Sequence, residues 1–252
     1  MFGRTKCKEV PILVELEEQL TSDSCAKIIT ELIKYILYQK QQIPFSWDSL
    51  VQLQPRFKPN DRNYGFTKNL FASLESISGE LTEQLHLGGC DVKEVVMLIG
   101  ATTISPKFLI RVEIPGNILS SRRHMEFQHS YRKPLLTLMR TVIECQEFQD
   151  AMTVPLVPTN TFVLLQKSDS NPKSDFFLPK PQYSPNSQSL SFCIKLHHNE
   201  IRGDCQCSGI VRPYFDNPND RLQDISEEKH DVVAPYLWYQ SKEIVKGFKY
   251  QR

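Results

Sequence analysis

Glu31-Leu-Ile-Lys-Tyr-Ile-Leu-Tyr-Gln-Lys-Gln-Gln-Ile-Pro44 opens as an amphipathic helix and closes in a polar cluster. Ile28, Leu32, Tyr35 and Gln39 recur at i, i+4, i+7 and i+11, so Gln39 prolongs the line of an apolar ridge. Pro44 stops the segment because it has no backbone N–H to continue a helix. Gln39, Lys40, Gln41 and Gln42 thus set amide and ammonium groups at the end of a buried stripe. There they either read a partner's backbone or form a solvated last turn. Upstream, Thr21, Ser22, Asp23 and Ser24 supply N-cap side chains. The spacing predicts a helix over 25–41, with Ile29, Ile33 and Ile36 turned to the core.

The pattern extends outward from this helix. Val10 to Leu16 reads as a short strand, and the polar, proline-containing stretch 54–63 as a loop. Leu70, Leu74, Ile77, Leu81 and Leu85 share one face of a predicted second helix over 67–86, which Gly88-Gly89 is expected to close. The continuous apolar run 93–100 has strand length and predicts a central strand covered on both faces. Phe108, Ile110, Val112 and Ile114 then alternate with Leu109, Arg111 and Glu113, as a strand with one more polar side does.

A third helix is predicted over 134–148, with Pro134 in its first turn. Leu135, Leu138 and Val142 suffice for a core stripe, and Cys145 continues their ridge as a small buried apolar residue. Leu136, Met139 and Ile143 form a second stripe rotated by one residue. A helix with two apolar stripes is buried on two sides or offers one flank to a partner. Further strands are predicted at 161–166, 190–196, 209–212 and 236–240, with Ile244 to Phe248 extending the C-terminal structure. Ser168 to Ser187 is Ser/Pro-rich and reads as a mobile loop with aromatic anchors, and 216–231 reads as a mobile acidic insertion. The whole, residues 1–252, reads as one α+β domain with helices on one face of a mainly antiparallel sheet.

Composition narrows the function. Of 252 residues 40% are apolar and 23% charged, ordinary for a globular protein. The 30 basic and 29 acidic side chains leave a net charge of +1, which argues against a nucleic-acid binder held by phosphate contacts. Arg122, Arg123, His124, Arg132 and Lys133 form the one basic cluster of note. No apolar run reaches membrane-helix length and the first residues lack a signal-like apolar core, so no membrane partner is expected. Seven scattered cysteines fit a reducing, cytosolic or nuclear compartment better than a disulfide scaffold.

Chemical motifs are missing. The sequence has no phosphate-cradling glycine pattern, GxSxG elbow, HExxH or CxxC. His197-His198 with Cys205-x-Cys207 is the one metal-like set, and its irregular spacing favours a plain hairpin with reduced cysteines. Cys145 with His129 is the one nucleophile candidate. No catalytic residue, cofactor, metal or small-molecule substrate is expected, and function is expected to lie in surfaces.

Residues 31–44, Val95-Val-Met-Leu-Ile-Gly100 with Ile104-Ser-Pro-Lys107, Phe176 to Lys180, Tyr236 to Gln240 and Lys246 to Phe248 resemble, in order, blocks of the comet family. That family is the adaptor of the spindle-checkpoint protein mitotic-arrest-deficient-two (Mad-two). The resemblance implies a HORMA-like fold, three helices on an antiparallel sheet, and no enzymatic activity. It implies binding to closed Mad-two at its dimerisation face and presentation of that conformer to a hexameric AAA+ remodelling ATPase, which silences the mitotic checkpoint. It implies residence in nucleus and cytoplasm, with spindle or kinetochore association in mitosis. By position, Gln39 and Lys40 become first-helix contacts to Mad-two and Leu136, Met139 and Ile143 central-helix contacts, exposed in the unbound chain. Pro179 and Lys180 become the ATPase-engaging pair. Met139 stands where the family carries an aromatic anchor. The other reading is a HORMA-like scaffold of another pathway that captures a partner peptide with its C-terminal segment.

Overall fold

The computed structural model describes residues 9–17, 20–87, 90–114, 130–169, 174–185, 190–198 and 235–251. In chain order its elements are β1 (Val10–Leu16), α1 (Ser22–Gln39), α2 (Trp47–Leu53), α3 (Arg62–His86), β2 (Cys90–Gly100), β3 (Pro106–Glu113), α4 (Arg132–Glu144), α5 (Gln146–Thr153), β4 (Asn160–Asp169), β5 (Phe177–Pro179), β6 (Leu190–His198), β7 (Leu237–Ser241) and β8 (Val245–Lys246). The strands form one sheet in the order β1-β6-β3-β2-β4-β7-β5, with β8 paired to the start of β4. Pairing is antiparallel except along β1-β6-β3, which is parallel.

The period-two pattern of the central strands divides two cores. Val95, Met97 and Ile99 of β2 join Phe108, Ile110 and Val112 of β3 beneath the helices. Val96, Leu98, Leu109, Phe162 and Leu164 point the other way and are covered by Tyr183 and Trp238, whose rings meet edge to face at 5.0 Å. The buried apolar side chains of the helices pack in the first core and none in the second, so the helices occupy one face of the sheet. This is the α+β, HORMA-like arrangement expected, with five helices instead of three among the described residues.

Local chemistry explains the differences. Thr21 and Ser24 cap α1 reciprocally, the Ser24 N–H donating to Thr21 Oγ1 at 3.1 Å and the Thr21 N–H to Ser24 Oγ at 2.9 Å, so α1 starts at Ser22. Asp61 accepts from the Asn63 N–H at 2.8 Å and starts α3 five residues before the periodic run. Ser46, two residues after Pro44, caps the unexpected α2. The predicted third helix breaks at Cys145 (φ −73°, ψ 109°) into α4 and α5. Cys145 is consequently half-buried at the edge of the first core, not buried within it. Phe177–Pro179, expected in a mobile loop, is an edge strand on β7. Gly88-Gly89, the 209–212 strand, the acidic insertion, Arg122 to His124, His129, Cys205 and Cys207 lie outside the described residues.

The second face of the sheet carries a charge network that ties β2 and β3 to Glu9, the residue before β1. Arg111 of β3 donates from Nε to Glu94 at 2.6 Å and from Nη1 to Glu9 at 3.1 Å, and lies 3.6 Å from Glu113. Glu94 is 2% exposed, so its carboxylate depends on this guanidinium. Burial works against the Arg111 charge, yet the Glu94 hydrogen bond and the Glu94 and Glu9 carboxylates hold it firmly protonated.

Candidate functional site

The polar end of α1 is divided between two tasks. Lys40, expected at the surface beside Gln39, is buried. Its ammonium donates to the carbonyls of Ala151 and, at 3.0 Å, Val154, closing the C-terminus of α5, and it lies 5.0 Å from the centre of the Phe108 ring. A cation at a helix C-terminus meets both unpaired carbonyls and the negative end of the helix dipole. Burial lowers the pKa of Lys40 from its usual value. Its assignment as a partner contact is thereby corrected: the group is consumed within the chain.

Gln42 is fully buried and joins three segments. Its Nε2 donates to the carbonyls of Lys40 at 3.0 Å and Leu156 at 3.2 Å, and its Oε1 accepts from the Thr159 N–H at 2.8 Å. Its own carbonyl accepts from the Phe248 N–H at 2.9 Å. Gly247 passes so close that a Cβ there would sit 2.7 Å from Gln42 Oε1. Gln41 completes the turn with φ 55°: its N–H donates to the Tyr38 carbonyl at 2.9 Å and the Gln42 N–H to the Leu37 carbonyl at 2.8 Å. That is a Schellman motif with glutamine in the left-handed position.

Gln39 differs from both neighbours. It is half-buried, its side chain makes no hydrogen bond among the described residues, and it lines a cavity of about 410 Å³ with Tyr38, Gln41, Phe248 and Tyr250. Its amide is available to an external group.

On α4, Leu138 (1% exposed) and Val142 (0%) face the core, whereas Leu136 is 67% and Ile143 47% exposed. Met139 lies between the two stripes, half-buried and packed against the core edge. The helix packs on β1 at one edge of the sheet and beside α1. Lys27 of α1 lies over the Tyr131 ring just before α4, and Lys40 closes α5, so α1 and α4–α5 run in the same sense. Twelve residues separate Lys27 from Gln39 and Tyr131 from Ile143, a rise of roughly 18 Å in each helix.

Pro179 and Lys180 sit elsewhere. Pro179 is exposed on β5, at the sheet edge opposite β1. Six strand spacings of about 4.8 Å put roughly 29 Å between those edges. Lys180 is half-buried: its N–H donates to the Trp238 carbonyl at 2.7 Å, and its ammonium to Thr103 Oγ1 at 2.6 Å and to Gln240 Oε1. Burial lowers its pKa. Its contacts are to neutral oxygens, not to solvent in an open turn.

Groups suited to bond-making do not assemble among the described residues. No cluster of three potential metal ligands occurs there. Burial pushes the Cys25 thiol up to about 12, and burial with the Glu113 carboxylate does the same for Cys193. Both thiols stay protonated and unreactive at neutral pH. The Cys145 thiol donates to the Glu147 carboxylate at 3.6 Å. No described helix is long and apolar enough to cross a membrane.

A family model, p31comet, described as "Mad1 and Cdc20-bound-Mad2 binding", matches residues 5–200. The chain belongs to the p31comet family. Two curated relatives, both called MAD2L1-binding protein, agree. The Homo sapiens protein is 23% identical over 243 residues, covering 91% of this chain and 77% of the relative. The Mus musculus protein is 22% identical, covering 91% and 75%. The family is thus named for binding rather than for catalysis.

Sequence reasoning missed two residues in this region. Gln42 was grouped with a surface cluster, although its place two residues before Pro44, just past a helix end, marks a turn whose polar groups need partners. Arg140, between the two apolar stripes, lies at i+4 from Leu136.

Proposed function

We propose that the chain is a non-enzymatic adaptor that binds closed Mad2, the Mad-two protein of the resemblance, at its dimerisation face and presents it to a hexameric AAA+ remodelling ATPase. Checkpoint silencing in the nucleus and cytoplasm, at spindle or kinetochore in mitosis, follows from that reading. The observation that carries it is the outer stripe of α4. Leu136 and Ile143 are large, apolar and exposed on a helix whose inner stripe already fills the core, in a family described by Mad2 binding. Folding gains nothing from such residues, whereas an interface anchor requires them. Gln39, its amide unengaged, is the polar contact of the same surface. Pro179 and Lys180, on the far edge of the sheet, suit a second partner bound at the same time.

Titrating closed Mad2 onto the whole chain tests the docking surface. Met139→Arg, between the inner and outer stripes, is expected to abolish saturable binding while the chain stays folded. Gln39→Ala is expected to weaken binding by about 1–2 kcal/mol if its amide is paired in the complex. Unchanged affinity of the Met139 variant would reject this placement.

A further inference from the structure

We infer that Arg140 is the specificity-determining charge of the docking surface, and that the face of the partner covering α4 carries a carboxylate between two apolar depressions. This inference rests on the docking reading above and deepens it. Leu136, Arg140 and Ile143 fall at i, i+4 and i+7, one line along the exposed side of α4. Leu136 and Ile143 are its apolar ends, and Arg140 is its exposed middle. A flat partner surface cannot cover both ends without covering the centre. Among the described residues Arg140 makes no ion pair, not even with Glu144 one turn on. The lysines of α1 beside it are engaged, Lys27 with Asp23 at 2.7 Å, Lys34 with Glu31 at 2.6 Å and Lys40 with the end of α5, whereas Arg132, two turns before Arg140 on α4, likewise makes no ion pair among the described residues.

Desolvating an unpaired guanidinium would oppose binding strongly, so an interface that buries Leu136 and Ile143 must answer Arg140 with an anion. Guanidinium offers two parallel N–H donors to one carboxylate, which fixes rotation of the partner about the helix in a way that two apolar contacts cannot. The partner this face fits is therefore an acidic groove with apolar flanks, and a neutral or basic groove is rejected.

The test is a titration of closed Mad2 onto the full chain at about 50 and about 500 mM NaCl, for wild type, Arg140→Gln, Arg140→Lys and a distant charge control, Lys68→Gln. Arg140→Gln is expected to weaken binding about thirtyfold or more at low salt and to lose most of the salt dependence. Arg140→Lys should recover part of the affinity and keep the salt dependence, and it carries the comparison alone should the glutamine variant misfold. Lys68→Gln should match wild type. Arg140→Gln binding within about threefold of wild type, with the salt dependence intact, overturns the inference while leaving the docking reading in place. Failure of the wild-type chain to bind at either salt concentration removes both.

Discussion

Arg111→Met should lower folding stability by about 3–5 kcal/mol, the loss expected when one member of a buried ion pair is removed and the other stays. Glu94 is 2% exposed and receives the Arg111 Nε–H at 2.6 Å. Methionine fills much of the aliphatic volume of arginine but leaves the Glu94 carboxylate inside the sheet with its cation gone. Glu9 and Glu113 then face Glu94 without the guanidinium that joined all three. The variant Glu94→Gln/Arg111→Met removes the stranded charge and should recover a large part of the loss. Urea unfolding checks this: the midpoint should fall while the slope stays constant. A loss below about 1 kcal/mol would mean that Glu94 finds another cation and that the network is dispensable.

Gln42→Leu should cost about 3 kcal/mol, from buried groups that lose their partners at about 1–3 kcal/mol each. Leucine cannot accept from the Thr159 N–H or donate to the Leu156 and Lys40 carbonyls; Gln42 and Lys40 are buried, and Leu156 and Thr159 are half-buried. The same bracket is reached from the other side at Gly247, where an added Cβ would sit 3.0 Å from both the N and the O of Thr159. Gly247→Ala must push backbone or Gln42 aside, and its effect should not add to that of Gln42→Leu because both act on one contact. Full additivity in urea melts would show that the two positions act on separate structure.

Much of the fold was legible in the chain because its elements are governed by local rules. The apolar run Val95 to Ile99 has strand length and became a strand covered on both faces, and the capping side chains of Thr21 to Ser24 marked a helix start. The three-helix expectation failed where a short device overrides periodicity. Ser46 starts a seven-residue helix too brief to show a stripe, and Cys145 adopts an extended ψ that divides one amphipathic run into two helices. The outer stripe of α4 was visible as a surplus: Leu138 and Val142 already satisfy the core, so Leu136 and Ile143 had to be explained otherwise. Lys40 was misread because its partners, the carbonyls at the end of α5, lie 111 and 114 residues away. Spacing along one helix carries no information about such a contact. Gln39, one residue earlier, has the same local signal and the opposite fate.

The account places docking on the outer stripe of α4 and assigns Lys40 and Gln42 to the interior. Hydroxyl-radical footprinting of the full chain, alone and saturated with closed Mad2, tests this most directly. Oxidation of Leu136, Met139 and Ile143 should fall together on binding, while Leu178, exposed at the opposite edge of the sheet, keeps its rate. Unchanged oxidation along α4 in the saturated complex would contradict the account.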